Sequence, residues 1–226
     1  PKPIASSFPT YPDPAFIAED VVFYGDRPPS RSFPWRSGLL AVWGAVSVLM
    51  LARLIASFAS GRRLVRRAEV VADGAIDEGL AAAAKGLGLH VAPALARSAE
   101  VRCPVIWCWG RRPLLLLPAE EAGAEGVDRV AVFRHELAHW RRRDHLSTLA
   151  AELLVALLPW HPLAWVVRAR LGRLAELACD DWVLAGGTSA SDYAATLLGL
   201  IPQPHSPALA AASGRSGLRH RIIRIL

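Results

Sequence analysis

Between Ser37 and Gly61 the chain runs SGLLAVWGAVSVLMLARLIASFASG, 25 positions with Arg53 as the only charge. A run of that length crosses a hydrocarbon core of about 30 Å with some tilt, so the pattern predicts a transmembrane helix over 37–61. Arg53 falls near its far end, where a long side chain can snorkel to the headgroups. The run is too long for a signal peptide, and a polar segment precedes it. Residues 1–36 hold eight of the seventeen prolines and show no helical period. They read as an extended loop, with one short element at Phe16–Tyr24.

Beyond Gly61 the hydrophobic pattern changes to shorter units. Ala75–Gly86 is Ala-rich with a helical period, and Leu89–Ala96 reads as a strand. Val105–Trp109 and Leu114–Leu117 read as two strands around a Gly110-Arg111-Arg112-Pro113 turn. After Pro118 the periodicity is helical, with helices over 127–143, 146–158, 162–185 and 190–200. Pro159, Pro162 and the Gly186-Gly187 pair supply the breaks. The expectation is an α+β fold: a mostly helical domain with a small β-sheet, preceded by a transmembrane helix.

Charge orients that helix. Arg62, Arg63, Arg66 and Arg67 follow it at once, whereas Arg27, Arg31 and Arg36 on the other side are diluted by Asp13, Glu19, Asp20 and Asp26. Basic residues near a span stay in the cytoplasm. The organisation predicted is therefore an extracytoplasmic Pro-rich loop over 1–36, the transmembrane helix over 37–61 and a cytoplasmic domain over 62–226. The net charge of +6 and pI of about 9.9 suit nucleic acid or an anionic membrane surface. No DNA-binding motif accompanies Arg141–Arg143 or the C-terminal Arg215, Arg219, Arg221 and Arg224, so the membrane surface is the expected partner and direct nucleic-acid binding is not. Cys103, Cys108 and Cys179 lack paired spacing and read as free thiols. The chain opens on Pro1 and its single Met is Met50, from which a piece of a longer protein is expected.

The chemistry concentrates in His135-Glu136-Leu137-Ala138-His139. Two histidines four apart lie on one helix face and can share one Zn²⁺. Glu136, about 100° around the helix, can take a proton from water beside the metal. A third ligand must come from elsewhere. His145 has the spacing of the HExxHxxGxxH class, but Arg142 stands where that class needs glycine, and no Met lies downstream. Glu176 is the better candidate, because Glu176 and Asp180 share one face of a later helix. Asp180 would then hold the free ring nitrogen of a ligating histidine. Asp181 points about 100° away and reads as a solvated or capping acid. Tyr193 could stabilise an oxyanion, but its position beside Leu197 and Leu198 reads as core. His90, His205 and His220 lack ligand spacing.

The run HELAHWRRRDH, then PWHPLAWVVRAR, ELACDDWVL and DYAATLL, resembles the transducer metallopeptidases of the BlaR/MecR type, over about Ser37 to Leu226. The ELACD element is the most specific part. The resemblance implies a gluzincin (zincin-like) fold in the cytoplasm. It also implies a signal-transducing zinc metalloendopeptidase acting on a protein such as a transcriptional repressor, with Val105–Trp109 as an edge strand for substrate. The alternatives are a general membrane quality-control metalloprotease, and a zinc-stabilised signalling scaffold that does not cut; a homodimer is a further possible partner arrangement. The only lysines, Lys2 and Lys85, have no Ser three residues before them, so no S-x-x-K β-lactam sensor is expected in this chain.

One apolar stretch needs separate treatment. Ser147 to Val167 contains Glu152 as its only formal charge, and a hydropathy scan alone would make it a second span. His139 and Glu176 flank it, and both must reach within about 2 Å of one zinc ion. The stretch must therefore turn back at Pro159-Trp160-His161-Pro162, as a helical hairpin either in the protein core or dipping into the bilayer face.

Overall fold

The computed structural model describes residues 35–110, 112–119, 127–200 and 215–226. The predicted element at Phe16–Tyr24 lies outside the described residues. The chain falls into two compact units, Pro1–Leu40 and Ala41–Leu226. The first contributes only the opening turns of helix α1, Trp35–Arg67, to what is described.

Helix α1 is longer than the apolar run. It continues to Arg67 because nothing from Gly61 onward breaks it: Gly61 is a single glycine, and arginines are good helix formers. Most of its apolar positions are exposed, among them Leu39, Val42, Val48, Leu49 and Ile55, and others such as Met50, Leu51 and Leu54 are half-buried. The helix is long and apolar enough to cross a membrane. Aromatic contacts near both ends tie it to the rest of the second unit. Phe58 lies 5.5 Å from Trp107 and 5.6 Å from Trp109, ring centre to ring centre. Gly61 sits under the Trp107 ring, where any Cβ would collide. Nearer the other end, the Trp43 indole donates to Leu157 O at 3.0 Å, and its ring meets Trp160 edge-on at 5.4 Å.

The sheet has four strands: β1 (Glu69–Val70), β2 (Ala94–Ser98), β3 (Val105–Trp107) and β4 (Leu114–Pro118). Their order is β1-β2-β4-β3, with β2 and β4 parallel and the other pairs antiparallel. The strand predicted over Leu89–Ala96 is shifted toward the C-terminus. Pro93 has no N–H to give a ladder, so pairing begins at Ala94. Leu89 instead donates its N–H to Ala84 O behind helix α2 (Gly74–Gly86) and packs on the core. The strand predicted over Val105–Trp109 stops at Trp107, because the Trp107 indole turns back to Trp109 O at 2.6 Å.

Helix α2 starts at Asp73, whose carboxylate accepts the Ile76 N–H, and buries Ile76, Leu80, Ala83 and Ala84. These meet Leu95, Leu115 and Leu117 of the sheet and Phe133 and Leu137 of helix α3 (Arg129–Arg142). Asp128 caps α3 by accepting from Val130 N and Ala131 N. Arg143, at φ 59°, adopts the left-handed conformation that ends α3 and lets helix α4 (Asp144–Leu157) start at once, two residues earlier than the sequence pattern indicates. Helix α5 (Pro162–Ala185) opens on a proline, whose fixed φ and missing N–H suit a first helical position. Helices α4 and α5 form the predicted hairpin. Helix α6 (Ala190–Gly199) is capped by Ser189, and helix α7 (Arg215–Ile225) closes the chain. Ile225, with Leu218 and Ile222, packs against Ala131, Val183, Tyr193 and Leu197, forming a second core behind α3. The α+β architecture of a helix followed by a mostly helical domain is therefore present.

Leu115 of β4 is fully buried between helices and sheet. Leu115→Ala should cost about 2–5 kcal/mol, read as a shift of the denaturant midpoint in detergent. Val70→Ala, at an exposed position, should change stability by less than about 0.5 kcal/mol.

Candidate metal centre

Helix α3 presents His135 and His139 one turn apart, with ring centres 5.0 Å apart. Helix α5 crosses beneath them and delivers Glu176. His135 Nε2 lies 3.6 Å from Glu176 Oε2, and His139 Nε2 lies 3.6 Å from Glu176 Oε1. One ligand atom from each of the three residues falls within 4.8 Å of the others. Ligands about 2.1 Å from a tetrahedral ion stand about 3.4 Å apart, so the spacing and donor set fit a zinc-sized divalent cation.

The other ring nitrogens are held from behind. His135 Nδ1 lies 3.0 Å from the Tyr193 hydroxyl and 3.3 Å from Asp180 Oδ1, and the Tyr193 hydroxyl donates to Asp180 Oδ1 at 2.7 Å. His139 Nδ1 lies 2.9 Å from Asp144 Oδ2, with Cys179 Sγ 3.3 Å away. With Nδ1–H held by these oxygens, Nε2 is the nitrogen of each ring that faces Glu176, and in the neutral ring its lone pair is free for a metal.

Glu136 is half-buried and accepts a hydrogen bond from the Ile106 N–H of edge strand β3. Burial raises its carboxyl pKa, against the lowering effect of His135 and His139. In the metal-free site burial opposes charge on His135. Its hydrogen bonds to Asp180 and Glu176, with Glu136 nearby, nevertheless raise its pKa to about 9. Burial likewise opposes ionisation of Asp180, yet hydrogen bonds from His135 and Arg221 hold it down at about 2. Glu176 is lowered too: burial works against it, and the hydrogen bond and charge of His135, then Arg221, outweigh burial.

The structure brings His135, Glu136, His139, Glu176 and Asp180 together. His145 is in neither ligand cluster among the described residues: its ring packs edge-on against Trp109 at 5.2 Å. Tyr193 is buried as core, as expected, and is also a hydrogen-bonding member of the site. Asp181 is exposed and pairs with Arg224 at 3.0 Å.

Two residues escaped the sequence reading. Asp144 looks like an ordinary helix-start acid. Its five-residue spacing from His139, across a chain reversal at Arg143, has no period that would flag it. Arg221 reads in the sequence as one of a basic C-terminal group, but its side chain turns into the site. Its side chain is 15% exposed. It forks onto Asp180, Nε to Oδ2 at 2.8 Å and Nη2 to Oδ1 at 2.5 Å, while Nη1 reaches Glu176 Oε2 at 2.9 Å. A bidentate fork fixes a carboxylate's orientation as well as its charge, so α7 sets the rotamers of both α5 acids.

A family model described as BlaR1 peptidase M56 matches residues 19–225. The chain is 26% identical over 149 residues to the Regulatory protein BlaR1 of Bacillus licheniformis, a match covering 66% of this chain and 24% of that protein. The chain thus spans about a quarter of the length of the curated relative it matches.

The geometry of the centre has measurable consequences. The hydrogen bonds that raise the His135 pKa favour its doubly protonated ring in the metal-free site, and a metal would have to displace the Nε2 proton. Zinc uptake at pH 7 should therefore release protons, seen as a buffer-dependent enthalpy in titration calorimetry. Apparent affinity should weaken as the pH falls below about 9. Glu176→Ala should abolish tight zinc binding and His145→Ala should leave it unchanged, in competition against a chelator. Asp144→Asn and Asp180→Asn should each weaken it by about 10–100-fold.

Proposed function

This chain belongs to the BlaR1 peptidase M56 family, and from that premise we propose that it is a membrane-anchored zinc metalloendopeptidase. In this reading it transduces a signal by acting on a cytoplasmic regulatory protein such as a transcriptional repressor. The observation that carries the reading is the convergence of His135 Nε2, His139 Nε2 and Glu176 on one gap, with Glu136 alongside. Three protein ligands and an adjacent carboxylate are the composition of a catalytic zinc site, whereas structural sites use four protein ligands. This favours an enzyme over a zinc-stabilised scaffold.

His135, His139 and Glu176 would hold the metal, which supplies Lewis acidity toward a peptide carbonyl and toward water. Glu136 takes a proton from the attacking water and passes it to the departing amine nitrogen. Burial raises its pKa toward the range where one group can do both. The Ile106 N–H holds that carboxylate in place. Among the described residues strand β3 pairs with β4 alone, and its other side is the sheet edge. An extended substrate segment could add there as a further strand, beside the Ile106 N–H that contacts Glu136. Arg62, Arg63, Arg66 and Arg67 at the end of α1 support a cytoplasmic placement of this site.

Glu136→Gln should retain about one equivalent of zinc and lose cleavage by at least about 10²-fold, with metal measured by mass spectrometry and cleavage on a fluorescently labelled unfolded protein. Undiminished cleavage in that variant would move the general base to another residue.

A further inference from the structure

The tip of the α4–α5 hairpin carries no Asp, Glu, Lys or Arg over Leu153–Val167, the whole interval between Glu152 and Arg168, which pair with each other; its one titratable side chain is His161 at the turn. Leu157, Trp160, Leu163 and Val166 each expose half or more of their surface. Exposed large apolar side chains gathered on one hairpin tip mark a surface that meets protein or membrane.

Helix α1 indicates what covers it. At the base of the hairpin, Phe58 contacts Trp109 at 5.6 Å, and Trp109 contacts His145 at 5.2 Å. At the tip, Trp43 contacts both Leu157 O and Trp160. Phe58 to Trp43 is about 22 Å along α1, and His145 to Leu157 is about 18 Å along α4, at 1.5 Å per residue. The aromatic bridges at both ends, spaced alike along the two helices, therefore put the hairpin tip near the level of Trp43. Trp43 belongs to the apolar stretch of α1. If that stretch lies in a bilayer, the tip lies in it too.

Four carbonyls of the turn suit that place. Backbone groups in hydrocarbon must be satisfied within the protein. Leu157 O accepts from the Trp43 indole, Leu158 O from the His161 N–H, Pro159 O from the Trp165 indole and His161 O from the Ala164 N–H. Pro159 and Pro162 have no N–H to satisfy. Two tryptophans thus occupy carbonyls that water would take in an ordinary surface turn.

We propose that Leu153–Val167 is a re-entrant hairpin inserted among lipid acyl chains beside α1. The proposal rests on the reading of α1 as a membrane-crossing helix. Its consequence is positional: His139 and Glu176 lie at the foot of the hairpin legs, so the metal centre is held at the membrane face. Substrate segments that lie close to that face are the ones it can reach.

The test is photolabelling of the 226-residue chain in phosphatidylcholine–phosphatidylglycerol vesicles containing phosphatidylcholine with a diazirine midway along one acyl chain. Adducts are mapped by mass spectrometry. Adducts on both 35–53 and 153–167, with none at exposed Val70 or Val91, are expected. Label on α1 with none on 153–167 would overturn the hairpin proposal and leave the membrane helix standing, pointing to a protein partner or second copy over the tip. Label on neither segment would overturn both readings. Val166→Glu should selectively reduce adducts at the tip while those on α1 persist, because a charge in hydrocarbon is costly.

Discussion

Two imidazoles on consecutive turns of α3 must each point one nitrogen at a common gap while the other is held from behind. Most of the domain can be read as a means to that end. The front nitrogens meet one carboxylate, Glu176, at equal 3.6 Å distances. The rear nitrogens require oxygens at two different places, and the chain supplies them from different elements. Asp180 and Tyr193 come from α5 and α6 to serve His135, and Asp144 at the start of α4 serves His139. Arg143 makes the last of these possible. Its left-handed backbone lets α4 leave α3 without a loop, which places a carboxylate behind the second ring. A longer connection would carry Asp144 away.

The same requirement explains why α5 is, among the described residues, the longest helix after α1. It leaves the hairpin turn at Pro162 and must reach Glu176 and Asp180, fourteen and eighteen residues on, or about 21 and 27 Å at a helical rise. The hairpin and the metal centre are therefore opposite ends of one rigid rod. Fixing the tip against Trp43 fixes the direction from which Glu176 approaches. On the other side, α7 grips the same two acids through Arg221, and its own seat is the apolar cluster of Ile225, Tyr193, Leu197 and Val183. Movement of either α7 or the hairpin tip would act directly on the ligand set.

Local signals carried much of this arrangement into the sequence. The HELAH run, the shared face of Glu176 and Asp180 and the proline-marked reversal between Leu157 and Pro162 depend on helical period and on proline, which are legible without a fold. What escaped depends on contacts distant in sequence or on departures from period. Asp144 lies across a non-glycine left-handed residue, a conformation arginine seldom adopts. Arg221 is 41 residues from Asp180 and sits in a short, arginine-rich helix whose apolar positions are few. Its composition reads as surface, and only the buried acids it faces make it part of the site. The shift of the strand from Leu89–Ala96 to Ala94–Ser98 has a similar origin: apolar residues before Pro93 look like strand, but Leu89 serves the end of α2.

Charge balance links the centre to the stability of the domain. Glu176 and Asp180 are adjacent acids that would repel each other in a partly buried site. Without metal, Arg221 pairs with both, and the raised pKa of His135 adds a proton between them. A divalent cation held by His135, His139 and Glu176 would take the place of that proton, with the Arg221 fork still on Asp180, so the acids would be compensated in both states. The two apolar clusters, one between α2, the sheet and α3 and one beneath α7, contain none of the ligand residues. In small zinc domains metal binding is itself the folding energy. Here the core is assembled from Leu80, Leu115, Leu137, Val183 and their neighbours, so the packing of the domain does not depend on the ligand residues.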